Sequence, residues 1–419
     1  MERKNLFFCF VSISVLINLS CEKSMTEEKI VAKAKEIHER VLTIDTHDDI
    51  PSNFATEEVD PGVRGDRQVD IPKMQDGGLD AGFFVVYVGQ TKRTPENYEK
   101  AKADAMIKFD AIHRMCKEMY PDKIELAYTA DDVERIQKSG KLVACIGIEN
   151  GYVIGKDLSL LKKYHELGAR YITLAHNGHN DICDSANPRE SLGDSESEHN
   201  GVSEFGKRVI SEMNRLGIMV DVSHISKKSM LDALKLSKAP VIASHSSCRA
   251  LCDVSRNMDD EQLLALKENG GVMQTVALGS FVKKEPPEKD EAMEALREEM
   301  GITNTSPSSA LSDEKQAEYR RRRTELSDKW PVTVADFVDH IDHAVKLIGV
   351  EHVGISSDFD GGGGIQGWND ASETSNVTLE LVRRGYSEEE IAKLWGLNTL
   401  RVWREVEQVA AEMQSVSSM

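Results

Sequence analysis

The chain is poor in cysteine, and what cysteine it has is unpatterned. Seven cysteines are spread over 419 residues. Cys9 and Cys21 fall in an N-terminal leader, and Cys116, Cys145, Cys183, Cys248 and Cys252 share no regular spacing. An odd, irregular set excludes a disulfide framework, although export would leave room for one bridge. Cys248-x-x-x-Cys252 has the look of half a zinc site, but no second thiol pair accompanies it, so both are read as ordinary buried or surface thiols. Basic residues are also short: 52 Lys and Arg against 71 Asp and Glu, a net charge of -19. That balance argues against a nucleic-acid partner. The charges are interspersed rather than blocked, which describes a solvated acidic shell. No domain linker divides the chain, and it contains no internal repeat beyond a strand-helix alternation.

What is present is enough apolar residue, 40%, to bury one large core or two ordinary ones. Residues 1–21 stand apart. Arg3 and Lys4 precede FFCFVSISVLINLS, a positive start and an apolar stretch too short for a comfortable membrane span, ending at Cys21. This reads as a signal peptide of the bacterial lipoprotein kind, with Ser20 suitably small and Cys21 as the lipidated residue, though Asn18 stands where such signals usually place Leu. The expectation is an exported protein of the cell envelope, periplasmic or surface-facing, held to a membrane by its lipid. Residues 22–40 form a spacer and first helix, and 41–419 a single domain.

Within that domain one stretch organises the rest. Leu42 to Pro51, LTIDTHDDIP, is a buried strand ending in His47-x-Asp49. Side chains two apart on a strand share a face, so His47 and Asp49 can grip one ion. The same grammar recurs. KLVACIGIENG ends in Glu149, RYITLAH in His176, GIMVDVSH in His224, APVIASH in His245, and HVGISSDFDGG carries Asp358. Helices alternate with these near-continuous apolar strands, which predicts a parallel sheet with helices outside. Close to eight units predict a closed (β/α)₈ TIM-type barrel, whose strand C-termini converge on one mouth. Imidazoles and carboxylates without cysteine suit zinc or another borderline divalent ion. Two ions fit such a set better than one, with Glu149 able to bridge them.

Residues 284–330 interrupt the rhythm with a charged helical insertion, placed over the mouth or at a subunit contact. Its Arg320-Arg321-Arg322-Arg323 run is read as a solvated face balanced by neighbouring acids. His340 and His343, three apart on a helix, are likewise read as a solvated face. His179 and Asp181, beside His176, shape the pocket or belong to a polar loop.

Taken together, IDTHDDIP, IGIENG, GARYITLAHNGHND, EMNRLGIMVDVSH, APVIASHSSCRAL, the SRN at 255–257 and DHAVKLIGVEHVGISSDFDGG resemble the membrane dipeptidase (renal dipeptidase) family of amidohydrolase-like metal barrels, from about Val41 to Trp403. The resemblance implies a binuclear zinc site in which His47, Asp49 and Glu149 hold one ion and Glu149, His224 and His245 the other. A hydroxide between the ions would attack the scissile carbonyl. His176 would polarise that carbonyl, Arg256 would take the free carboxylate of a dipeptide, and Asp358 would carry the proton to the leaving amine. Dipeptides with a C-terminal D-residue fall within this expectation, and homodimerisation is left open. Asn150 and Tyr152 depart from the family's usual Gly and His after the bridging Glu. Two other readings remain: a related hydrolase of lactones or cyclic amides, or a deaminase, on the same barrel, and a peptide-binding lipoprotein without turnover.

Overall fold

The most apolar segments of the sequence become the strands of one sheet. The structure, a computed structural model, describes residues 26–302 and 311–417. The leader and Cys21 therefore lie outside the described residues. The strands are β1 (Ile44–Asp49), β2 (Ala81–Tyr87), β3 (Ile124–Leu126), β4 (Leu142–Glu149), β5 (Ala169–Thr173), β6 (Met219–Asp221), β7 (Ile242–Ser246), β8 (Val272–Val276) and β9 (Val353–Ser356). All pairings are parallel, in the order β1-β2-β4-β5-β6-β7-β8-β9. Short β3 pairs with β4 off this path and has no counterpart in the sequence reading. The two ends of the sheet meet just past β9, where the Asp49 amide donates to the Phe359 carbonyl at 2.9 Å. Asp48 and Phe359 form a parallel bridge there, so the eight strands make a nearly closed barrel, the expected TIM-type fold.

The helices begin where the sequence supplies caps. Thr129 and Asp132 form a capping box on Ala130–Lys138, Asp259 and Gln262 on Asp260–Asn269, and Thr333 and Asp336 on Val334–Ile348. Each box satisfies amide donors that a helix start leaves free. Among the described residues no helix is long and apolar enough to cross a membrane.

The even-step rule of a strand explains the barrel interior. On β4, Val143, Cys145 and Gly147 precede Glu149 on one face, and on β2, Phe83 precedes Tyr87. The lower residues pack as a plug with Tyr171, Met219 and Ile242, closed off by Leu400 and Trp403 from the last helix, Asn398–Ser417. Phe83 lies 5.3 Å from Tyr171 and 5.9 Å from Trp403, ring centre to ring centre. Gly147 is required here: a Cβ at that position would come within 2.0 Å of the Tyr171 ring.

The insertion leaves the barrel after β8, on the mouth side, as the helices Pro287–Glu299 and Asp313–Ser327. Arg321 pairs with Glu325, and Arg322 with Glu299 at 2.6 Å, so these two arginines are balanced by acids as their sequence suggests. His340 corrects the sequence reading. It is buried, its Nδ1 accepting from the Cys248 amide at 3.0 Å and its Nε2 donating to the Val282 carbonyl at 2.7 Å. His343 does stay at the surface, 2.9 Å from Asp260. Positions three apart on a helix differ by about 60° around the axis. One of the pair can therefore face the core while the other faces solvent.

Candidate active site

The metal-type residues singled out in the sequence converge at the barrel mouth. His47 and Asp49 stand on β1, Glu149 ends β4, and His245 lies on β7. His176, His224 and Asp358 lie two or three residues past β5, β6 and β9, on the loops rather than the strands. His224 and Asp358 take left-handed backbone conformations, φ 66° and 59°, which turn their side chains back into the mouth. Gly361 must lack a side chain, since a Cβ there would sit 2.2 Å from an Asp49 carboxylate oxygen.

Glu149 is the hub. Its Oε1 lies 3.0 Å from His224 Nε2, 3.3 Å from His245 Nε2 and 3.6 Å from His176 Nε2, and its Oε2 lies 3.7 Å from His47 Nε2. His47 Nε2 also faces Asp49 at 3.6 Å and Asp358 at 3.8 Å. Burial pushes the Glu149 carboxyl up, but the neighbouring His176 and His47 charges and the His224 and His245 hydrogen bonds outweigh it and hold it well below the usual range. Burial raises Asp358 well above its ordinary value and drives His224 and His245 well below theirs, so this aspartate favours its protonated form and both imidazoles their neutral one.

This donor set fits divalent metal. His47 Nε2 is buried, ringed by three carboxylates, and makes no hydrogen bond. His224 Nε2 and His245 Nε2 stand 2.8 Å apart. Nitrogen lone pairs aimed at one another and at carboxylates are the arrangement a cation would reconcile. Three groups of donors each lie within 4.8 Å: His47, Glu149 and His245; Glu149, His176 and His224; and His47, Asp49 and Asp358. Glu149 belongs to two of them, as a bridging ligand would. The grouping differs in detail from the expected one, since His176 stands as near to Glu149 as the ligands do.

A cavity of about 340 Å³ opens on the cluster, lined also by Tyr87, Asn177, Leu278, Phe281, Asp360 and Gly361. That is the small end of ligand-site volumes, roughly 300–1,000 Å³. Tyr87 and Phe281 escaped the sequence reading. Tyr87 ends β2 and obeys the same strand-end grammar; Phe281, at the root of the insertion, carries no such signal. Arg256 is buried beside the cluster. Its Nη2 donates to the His245 carbonyl at 3.1 Å, its plane lies 5.2 Å over the Phe281 ring, and its Nε has no partner. Burial lowers it to about 10. His179 is buried and bonded to the Ser185 amide and Ser195 carbonyl, while Asp181 pairs with Lys156 and Arg93, so both serve the loop. The five described cysteines are free and buried, and Cys248 and Cys252 hold carbonyl contacts rather than a metal.

A parallel barrel with histidines and carboxylates converging at its mouth is the architecture of metal-dependent hydrolases. The membrane dipeptidase family, peptidase family M19, matches residues 31–417, and the chain belongs to that family. Dipeptidase tcpJ of Claviceps purpurea is 35% identical over 353 residues, 83% of this chain and 71% of that protein. An uncharacterized dipeptidase of Schizosaccharomyces pombe is 32% identical over 95% of this chain and 87% of its own length. Among solved structures, the probable dipeptidase PvdM of Pseudomonas aeruginosa is 33% identical with a TM-score of 0.81, covering 91% of this chain and all of its own. A metallopeptidase of Rhodobacter sphaeroides shares the fold at 23% identity and a TM-score of 0.67, covering 87% of this chain and 99% of that one. The chain is thus a metallo-dipeptidase, a peptide-bond hydrolase.

Proposed function

We propose that the enzyme cleaves free dipeptides with two zinc ions, held by His47, Asp49 and Glu149 and by Glu149, His224 and His245. The observation that carries the substrate side of this reading is Arg256. Its guanidinium is buried, makes no ion pair among the described residues, and sits beside the carboxylate-histidine cluster. A buried cation without an anion is costly, and a planar fork matches a carboxylate. The C-terminal carboxylate of a dipeptide would complete it, with the Phe281 ring beneath the guanidinium and Leu278 walling off water.

Ions held by this set would lower the pKa of a water molecule and polarise the scissile carbonyl. The chain's own residues do the rest. His176, kept neutral by burial, offers an N–H to the oxygen on which charge develops. Asp358, whose carboxyl holds a proton more tightly than usual, delivers it to the departing amine. A C-terminal D-residue is accommodated in this reading because recognition rests on the carboxylate. The exported, lipid-anchored form rests on the Arg3, Lys4 and Cys21 pattern alone; the curated relatives above are fungal and the solved ones bacterial, and they do not bear on it.

The test is hydrolysis of L-Ala-L-Ala, L-Ala-D-Ala, an N-acetylated and a C-amidated dipeptide by protein from residue 22 onward, stripped with chelator and reloaded with zinc. Zinc-dependent cleavage of the free dipeptides and not of the C-amide is expected. Arg256→Ala should lower kcat/KM on free dipeptides by about 30-fold or more, the ~2–5 kcal/mol of a lost buried charge contact. Protein that holds two zinc ions and leaves every dipeptide intact would overturn the reading in favour of lactones or cyclic amides.

A further inference from the structure

Three imidazoles turn Nε2 toward Glu149, and their Nδ1 atoms are held in three different ways. The Nδ1 of His224 is buried with no partner. That of His47 meets the Tyr171 hydroxyl at 3.0 Å; this hydroxyl gives its proton to the Thr46 carbonyl at 3.0 Å, so it accepts from His47. That of His245 meets Ser244 Oγ at 2.8 Å, and Ser244 Oγ donates to Asp221 Oδ2 at 2.6 Å. A serine hydroxyl has one proton. With that proton on Asp221, Ser244 can only accept from His245, which fixes the proton of His245 on Nδ1.

Asp221 itself ends β6, wholly buried, and every contact it makes is a donor. Its Oδ1 accepts the Ser223 amide at 3.0 Å and the Ser244 amide at 2.9 Å, and its Oδ2 also takes the Thr173 hydroxyl. It has no cationic partner among the described residues. Nothing in the chemistry of peptide hydrolysis as described above uses it.

We propose that Asp221 and Ser244 are positioning residues for His245: a carboxylate-hydroxyl relay that sets its tautomer, orients its ring, and strengthens Nε2 as a ligand. The proposal rests on the metal-dependent reading of the site. The relay also resolves the 2.8 Å approach of His224 Nε2 to His245 Nε2. Only one proton fits between those atoms, and the relay keeps it off His245. Of the three imidazoles, only His245 is connected to a carboxylate through its far nitrogen. Outer partners of this kind are worth about 10–100-fold in metal affinity.

The experiment compares wild type, Ser244→Ala, Ser244→Thr and Asp221→Asn, each checked for fold by circular dichroism. Zinc affinity is measured by chelator competition, and the His245 tautomer by ¹⁵N-histidine NMR on metal-free protein. Ser244→Ala is expected to weaken one of the two zinc ions by about 10–100-fold. Ser244→Thr should restore it, since the hydroxyl remains. Asp221→Asn turns an amide N–H toward Ser244, reverses the hydroxyl, and should move the His245 proton to Nε2. A folded Ser244→Ala protein that binds two zinc ions as tightly as wild type overturns the relay and leaves the dipeptidase reading standing. So does an Nε2–H His245 in metal-free wild type, a result that needs no variant to fold. Wild type that shows the Nδ1–H form yet takes up no zinc overturns the metal-dependent reading, and the relay's purpose with it.

Discussion

The two ends of the barrel interior are built from the same strands and obey opposite rules. At the closed end Phe83, Val143, Cys145, Tyr171 and Trp403 fill the space with apolar surface. Two to four residues further along, Tyr87 and Glu149 face a cavity where a buried imidazole nitrogen and a guanidinium nitrogen have no partner. Burial is nearly complete at both ends, so solvent exposure does not distinguish them; satisfaction of polar atoms does. The lower layer supplies stability and holds the strand ends in place. The upper layer spends some of that stability to keep lone pairs and charges pre-aimed.

The comparison is tested first at its extreme. Glu149→Gln removes the charge that four histidines share, and should abolish binding of at least one zinc and cut turnover by about 10³-fold or more, beyond the 10–100-fold cost of an outer partner. Its melting temperature should hold or rise, because a buried charge has gone. A variant that loses its fold instead would show the cluster to be structural. Phe83→Ala is the mirror image. It should cost about 3–5 kcal/mol in stability by denaturant unfolding, the usual range for a buried phenylalanine. Zinc stoichiometry and kcat well below Tm should stay near wild type; a collapse of zinc binding would mean the two layers are not separable.

Smallest is an acid effect confined to the closed end. His165, at the end of helix Ser159–Glu166 that leads into β5, is lowered to about 4 by burial and by nearby Arg170. Its folded value lies below its ordinary 6.5, so the unfolded chain binds the proton first. Stability from this group is complete above about 6.5 and is lost as pH falls toward 4. In His165→Gln the drop in Tm between pH 7 and pH 5 should be slightly smaller than in wild type, with turnover unchanged. An equal or larger drop would refute it.

Most of the upper layer was legible because a strand both names and aims its last residue. Hydrophobic runs mark the strands, period two fixes the face, and the terminal polar residue must then point into the mouth; His47, Asp49, Glu149 and His245 follow directly. His176, His224 and Asp358 lie past the strand ends, where the pattern names them but only left-handed turns at two of them bring them back. Arg256 was legible only through family resemblance, since a lone arginine in a loop carries no periodic signal. Phe281 and the off-path β3 had none. His340 failed for a different reason: a helix pattern shows which face is mainly apolar, not that a polar residue at its margin will find two backbone partners inside.

The left-handed backbone at His224 and Asp358 has a consequence for how this enzyme can change. A non-glycine residue held there costs on the order of 1–3 kcal/mol, a strain the surrounding barrel must absorb. Glycine at either position would relax the chain and delete the function in one step. Drift toward greater robustness is therefore also drift toward silence, and a descendant that melts higher could be one that has stopped working.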